Sequence, residues 1–128
     1  MTKAETSGVE IRKERDRFVA FAFSAADAFV ELDHRQTVQY ATGAIKSLTG
    51  MTEKTLTGQD FLNLVLMEDR PMMAAGFSLA KQQGRCGPLR LRLKQTSGKP
   101  LRIELRGTHL PISGGGMYLS LNRPVATR

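Results

Sequence analysis

The sequence predicts a single α/β (α+β) domain built on a five-stranded antiparallel sheet, and three observations carry that expectation. Leu89, Leu91 and Leu93 alternate with Arg90, Arg92 and Lys94, and Leu101, Ile103 and Leu105 alternate with Arg102, Glu104 and Arg106. Period-two patterns of this kind give each strand one apolar and one wet face, as antiparallel sheets require. A helical pattern from Met72 to Ala80 separates these strands from an earlier hairpin. With 128 residues, 41% hydrophobic and 24% charged, the chain can bury one core and is too apolar to stay disordered.

In chain order, residues 1–10 read as a flexible lead. Ile11, Phe18, Phe21 or Ala22, and Ala25 then recur at spacings of three, four or seven, which predicts an amphipathic helix over 11–24. Ala28–Leu32 reads as a strand, Asp33–Gln36 as a tight turn, and Thr37–Ala41 as the returning strand. Gly43–Leu48 reads as a short helix stopped by Thr49-Gly50, with further helical turns over Thr52–Leu56 and Gln59–Leu64.

Glu68-Asp69-Arg70-Pro71 is a stronger helix start. Asp69 is expected to accept hydrogen bonds from the exposed first-turn amides, and Pro71 suits the first turn. Met72, Met73, Gly76, Phe77, Leu79 and Ala80 give this helix its apolar face, and Gly84 with Cys86-Gly87-Pro88 ends it. Thr96–Lys99 closes the hairpin between the two alternating strands. Gly114-Gly115-Gly116 makes a looser turn into a last strand, Met117–Leu121, and 124–128 form a tail.

Charge is placed unevenly. From Arg85 onward nine basic residues stand against Glu104 alone, so this stretch accounts for the whole of the formal +7 and the rest of the chain is close to neutral. Arg90, Arg92, Lys94, Arg102 and Arg106 are therefore candidates for a basic sheet face that meets an acidic partner or, as an alternative, nucleic acid. That stripe has few aromatics for base stacking, which favours a solvated or protein-facing role. The apolar runs are too short to span a membrane and the N-terminus has no apolar signal core, so a cytoplasmic setting is expected. Cys86 is the only cysteine and can form neither an internal disulfide nor a multi-cysteine metal site. The sequence has no phosphate-binding glycine loop, paired metal carboxylates or serine–histidine–acid set, so no catalytic residue and no metal site is assigned.

Taken in order, several segments resemble the PAS domain family. Ala25–Asp33 resembles its opening strand, Tyr40–Ala44 the approach to its first short helix, Leu56-Thr57-Gly58-Gln59-Asp60-Phe61 its "l-x-G-x-x-f" segment, and Leu66–Arg70 the lead into its long helix. Thr42 stands where many members have Asn, and Asn122-Arg123-Pro124 replaces the usual Asp-Ile-Thr after the last strand. The resemblance implies a PAS core over 25–123, with short helices, one longer helix and a pocket between the helices and the sheet.

It also implies where cofactors would attach. Heme-binding members place a histidine on or near the long helix, and residues 69–85 contain none; His34 and His109 are the only histidines. Blue-light members carry a cysteine ahead of that helix, where Gly58–Asn63 has none. No cofactor is therefore expected. Tyr40, Met72, Met73, Phe77, His109 and Met117 are the candidate pocket residues should a small organic ligand bind, and simple core packing is the competing role.

The favoured function is a non-catalytic sensory and interaction module. The resemblance implies a homodimer with Ile11, Phe18 and Ala22 at its interface. It also implies signal relay to a histidine kinase, a cyclic-nucleotide-turnover domain or a transcription regulator.

Overall fold

The computed structural model describes residues 26–110 and 116–124. The lead, the expected helix over 11–24, and most of the Gly114-Gly115-Gly116 turn lie outside the described residues. Ala28–Leu32 forms β1, with Ala28, Val30 and Leu32 buried, as the alternation predicts. The turn after it is organised by one carboxylate. Asp33 Oδ1 accepts from the amides of Arg35 (2.8 Å) and Thr37 (3.0 Å), while Gln36 takes a positive φ of 62°.

The return strand β2 is Val38–Gly43, two residues longer at its end than the sequence suggests. Consequently α1 begins later, at Ile45–Thr49, and closes on Gly50, whose left-handed conformation (φ 78°) lets its amide reach Lys46. Thr49, a buried polar side chain, donates to the Ile45 carbonyl at 2.8 Å and accepts from the Met51 amide at 3.0 Å, so its hydroxyl is satisfied. Thr52 caps the single-turn α2, Glu53–Leu56, and Asp60 caps a 3-10 turn at Phe61–Leu64.

A second 3-10 turn, Met67–Asp69, leads directly into α3, Arg70–Gln83. Here the structure corrects one expectation: the Asp69 side chain caps no helix amide. Arriving from a 3-10 turn, Asp69 has φ −98° and ψ −6°, not the extended backbone from which a capping side chain reaches back over the first turn. Its carboxylate instead grips Arg92 on the neighbouring strand.

The helix buries Met73, Gly76, Phe77 and Ala80, while Met72 and Leu79 face outward and are exposed. Gly76 lets α3 pack closely on the sheet: a Cβ there would lie 2.6 Å from Leu89 Cδ1, so a larger residue would require the Leu89 side chain to move.

β3 spans Arg85–Leu93, β4 Leu101–Leu110 and β5 Gly116–Asn122. β3 therefore starts four residues earlier than its leucine alternation indicates. The ladder shifts register between Cys86 and Leu89, around the cis Gly87-Pro88 bond, and this breaks the periodic pattern locally. All pairings are antiparallel, in the order β2-β1-β5-β4-β3.

The helices cover one face of this sheet, and the core forms between them. Leu32, Ile45, Leu56, Phe61, Met73, Leu91, Ile103, Leu105, Met117 and Leu119 are among its fully buried members. Both edge strands are partly covered. Val38 exchanges backbone hydrogen bonds with Gly58 and Gln59 on the β2 side. Residues 64–66 bond to Arg92 and Lys94 on the β3 side. Over these stretches no free ladder is left for another strand to pair with.

Candidate functional site: the outer face of the sheet

The face away from the helices is uncovered by any described element, and strand register arranges its side chains in rows. Tyr40, Glu31, Tyr118, Thr108 and Arg85 lie side by side across all five strands, followed by Thr42, Phe29, Ser120 and Arg106. Neighbours within a row sit one strand spacing apart, about 4.8 Å. These residues line a groove that continues past Leu110 to Leu79 and Gln83 at the end of α3. Tyr40 is 59% exposed, Tyr118 41% and Leu110 38%, an apolar concentration that a solvated sheet face does not need.

Charge divides this face. Towards the β3–β4 turn lie Arg90, Arg92, Lys94 and Arg102, with Arg92 directly opposite Arg102. Two acids moderate the repulsion. Glu104 pairs with Arg90 at 3.5 Å. Asp69 takes both Nε and Nη2 of Arg92 at 2.9 Å, and its Oδ2 also accepts the Arg92 amide at 2.9 Å. The guanidinium bond, then the amide bond and the cation itself, hold the Asp69 carboxyl below its usual range. On the other side of the sheet the Thr37 amide does the same for Asp33, helped by the Arg35 amide and the nearby His34 and Arg35 charges.

A second cluster joins the two ends of the fold. The Asp27 amide donates to the Leu121 carbonyl (3.1 Å) and to Asn122 Oδ1 (3.0 Å), and its carbonyl accepts from the Ala44 amide at 2.9 Å. Its carboxylate accepts the Arg123 amide at 2.8 Å, and the Arg123 guanidinium donates to Ser47 Oγ. Asn122 and Arg123 thus tie the exit of β5 to the start of β1 and to α1.

The candidate pocket residues do not converge on one cavity. Met73, Phe77 and Met117 are packed in the core, Met72 is exposed on α3, and His109 is half-buried near the end of β4. Tyr40 lies on the opposite face of the sheet, in the groove. Four of the basic candidates share a face: Arg90, Arg92, Arg102 and Arg106 point outward from β3 and β4, and Lys94 follows directly after the end of β3. Ile11, Phe18 and Ala22 lie outside the described residues. Cys86 is buried, and desolvation pushes its thiol up, away from a reactive thiolate.

Phe29, Glu31 and Leu110 were not among the candidates. Their signal was present for β1, where burying Ala28, Val30 and Leu32 forces Phe29 and Glu31 to the other face. Among the described residues no cluster of three or more His, Cys, Asp or Glu could hold a metal ion, and no helix is long and apolar enough to cross a membrane.

The architecture has close counterparts among solved structures. A PAS domain of a protein from Colwellia psychrerythraea aligns with TM-score 0.69 at 18% identity, covering 89% of this chain and 97% of that one. The PAS domain of an HTR-like protein from Haloarcula marismortui gives 0.66 at 15%, covering 94% and 99%. A PAS domain from a two-component sensor histidine kinase gives 0.64 at 13%, covering 87% and 99%. At such identities the likeness shows the fold. No curated protein sequence matches the chain. The family model of the PAS fold matches residues 16–119, most of the sequence and every element but the end of β5, and the chain belongs to the PAS family.

Proposed function

We propose that this PAS domain is a non-catalytic sensory and interaction module that self-associates through the outer face of its sheet and passes a signal to an output domain. One observation carries the reading: the row Tyr40–Glu31–Tyr118 and its neighbour Leu110 place exposed aromatic and aliphatic side chains together on a face that no described element covers. Residues 1–25 precede β1, which lies between β2 and β5 on that face. A helix over 11–24 with Ile11, Phe18 and Ala22 along one side has the apolar seam to cover it.

Edge-to-edge pairing is disfavoured by the loops already bonded to Val38, Arg92 and Lys94, which leaves face-to-face contact. The Asp27 cluster supports the relay. It joins the chain's way into the sheet to its way out, so a displaced N-terminal helix would pull on the segment beyond β5. A histidine kinase, a cyclic-nucleotide-turnover domain or a transcription regulator would be the output.

Light scattering on the full chain and on residues 25–128 tests this reading. The full chain should have the mass of a dimer and the shortened chain that of a monomer. Equal masses for the two would contradict it.

A further inference from the structure

Beyond the aromatic row, the outer face carries cations that the fold itself does not use. Arg92 stands directly opposite Arg102, and like charges facing each other across a strand pair destabilise a sheet. Asp69 neutralises Arg92 through Nε and Nη2, at 2.9 Å each, and leaves its Nη1 without a hydrogen bond among the described residues. Glu104, two residues further along β4, takes Arg90 at 3.5 Å. Arg102 and Arg106 are exposed and make no hydrogen bond or ion pair among the described residues. Free cations retained despite that repulsion suit a surface that meets negative charge.

The order of charges along β4 limits what that negative partner is. Arg102, Glu104 and Arg106 share the outer face at two-residue intervals, so the free cations stand about 14 Å apart with a half-buried carboxylate between them. A nucleic-acid strand carries a phosphate at every nucleotide and would set one against Glu104. Neither β3 nor β4 contains a Phe, Tyr or Trp on which a base could stack.

A protein segment, by contrast, can place carboxylates at two points and leave the middle neutral. Residues 64–66 already bond to Arg92 and Lys94 at the sheet edge, so such a segment lies on the face, where a helix is the element that packs. In a helix, side chains at i and i+7 share one face about 10 Å apart, within reach of both arginines, and i+4 falls between them.

We propose that the outer face of β3 and β4 docks an acidic helix of a separate partner protein. Carboxylates at i and i+7 meet Arg102 and Arg106, and an uncharged residue at i+4 lies over Glu104. The stripe ends one row before Tyr118, which pairs with Thr108. The site is therefore distinct from the row proposed for self-association and does not depend on it.

A nuclear magnetic resonance titration of the full chain at low salt tests this, with an alanine-based helical peptide bearing glutamates at i and i+7. Amide shifts should concentrate around Arg92, Arg102 and Arg106. Changing both Arg102→Gln and Arg106→Gln should weaken the complex about 10-fold or more, while Arg102→Gln alone unfolds no earlier than the parent. A second peptide with a further glutamate at i+4 should bind about 3-fold more weakly despite its greater charge, and Glu104→Gln should abolish that difference. Affinity that rises with each added glutamate, in the parent and in Glu104→Gln alike, would reveal only diffuse attraction to a basic surface and overturn the proposal. Tighter binding of a single-stranded oligothymidylate of equal charge would also overturn it and assign the stripe to nucleic acid.

Discussion

The two faces of one sheet are built from the same five strands and follow different rules. On the inner face Val30, Leu32, Ile103, Leu105, Met117, Leu119 and Leu121 are each at most 2% exposed, packed against α3 and the short helical turns. On the outer face the intervening residues mix tyrosines, threonines, one central acid and a basic stripe. The contrast separates stability from recognition: the inner face holds the fold together, and the outer face is available to be covered. Its aromatic end and its basic end also differ, since the cations Arg90 and Arg92 already have acid partners within the domain while Glu31 has none among the described residues.

The largest effect expected from breaking this contrast is on the inner face. Leu105→Ala removes a side chain with no exposed surface and should cost about 2–5 kcal/mol in urea unfolding. Tyr118→Ala, on the same sheet and facing outward, should cost less than about 1 kcal/mol in the monomeric 25–128 chain. A loss at Tyr118 comparable to that at Leu105 would show that the outer face also carries the fold.

A smaller effect concerns the basic end. Arg92 holds the Asp69 carboxyl below its ordinary value of 3.8, so the paired form stabilises the fold fully above that value. The advantage fades as pH falls below it, through the lowered folded pKa. Asp69→Asn should therefore unfold earlier than the parent at neutral pH, and the two should converge in acid. A constant difference between them from pH 7 to pH 2 would show that Asp69 contributes through shape and not through charge.

Smaller still is the expected effect at the junction of the two ends. Asp27→Ala keeps the backbone hydrogen bonds of residue 27 and removes only the carboxylate that accepts the Arg123 amide. The unfolding midpoint should hardly move, while hydrogen exchange at the Arg123 amide should speed up. Unchanged exchange there would mean that Asn122 and the β5 ladder alone hold the exit.

Local pattern made much of this architecture legible in the sequence. β1 follows from the alternation of Ala28, Val30 and Leu32, and the β3–β4 hairpin from its leucines and arginines, because period two has one physical cause. Gly50 and Gly84 end their helices as expected, both in the left-handed conformation. What local pattern misses is set at long range. Arg85 belongs to β3 because it pairs with Thr108, a partnership invisible beside Gly87-Pro88.

Asp69 looks like a helix cap until Arg92, far along the chain, comes within reach. Tyr40 read as a pocket residue because apolar content says nothing about which face a strand residue takes. Register with Glu31 and Tyr118 decides that, and so the aromatic row emerges only from the assembled sheet.

The proposed function requires the aromatic row to be an interface. Sedimentation velocity of the full-length Tyr40→Glu, Tyr118→Glu double variant, run beside the parent, addresses this directly, because two added carboxylates next to Glu31 would have to be buried unpaired on docking. The variant should sediment as a monomer at concentrations where the parent is a dimer, with its unfolding midpoint as a monomer close to that of the parent's 25–128 chain. A variant that remains as dimeric as the parent would contradict the assignment of this face.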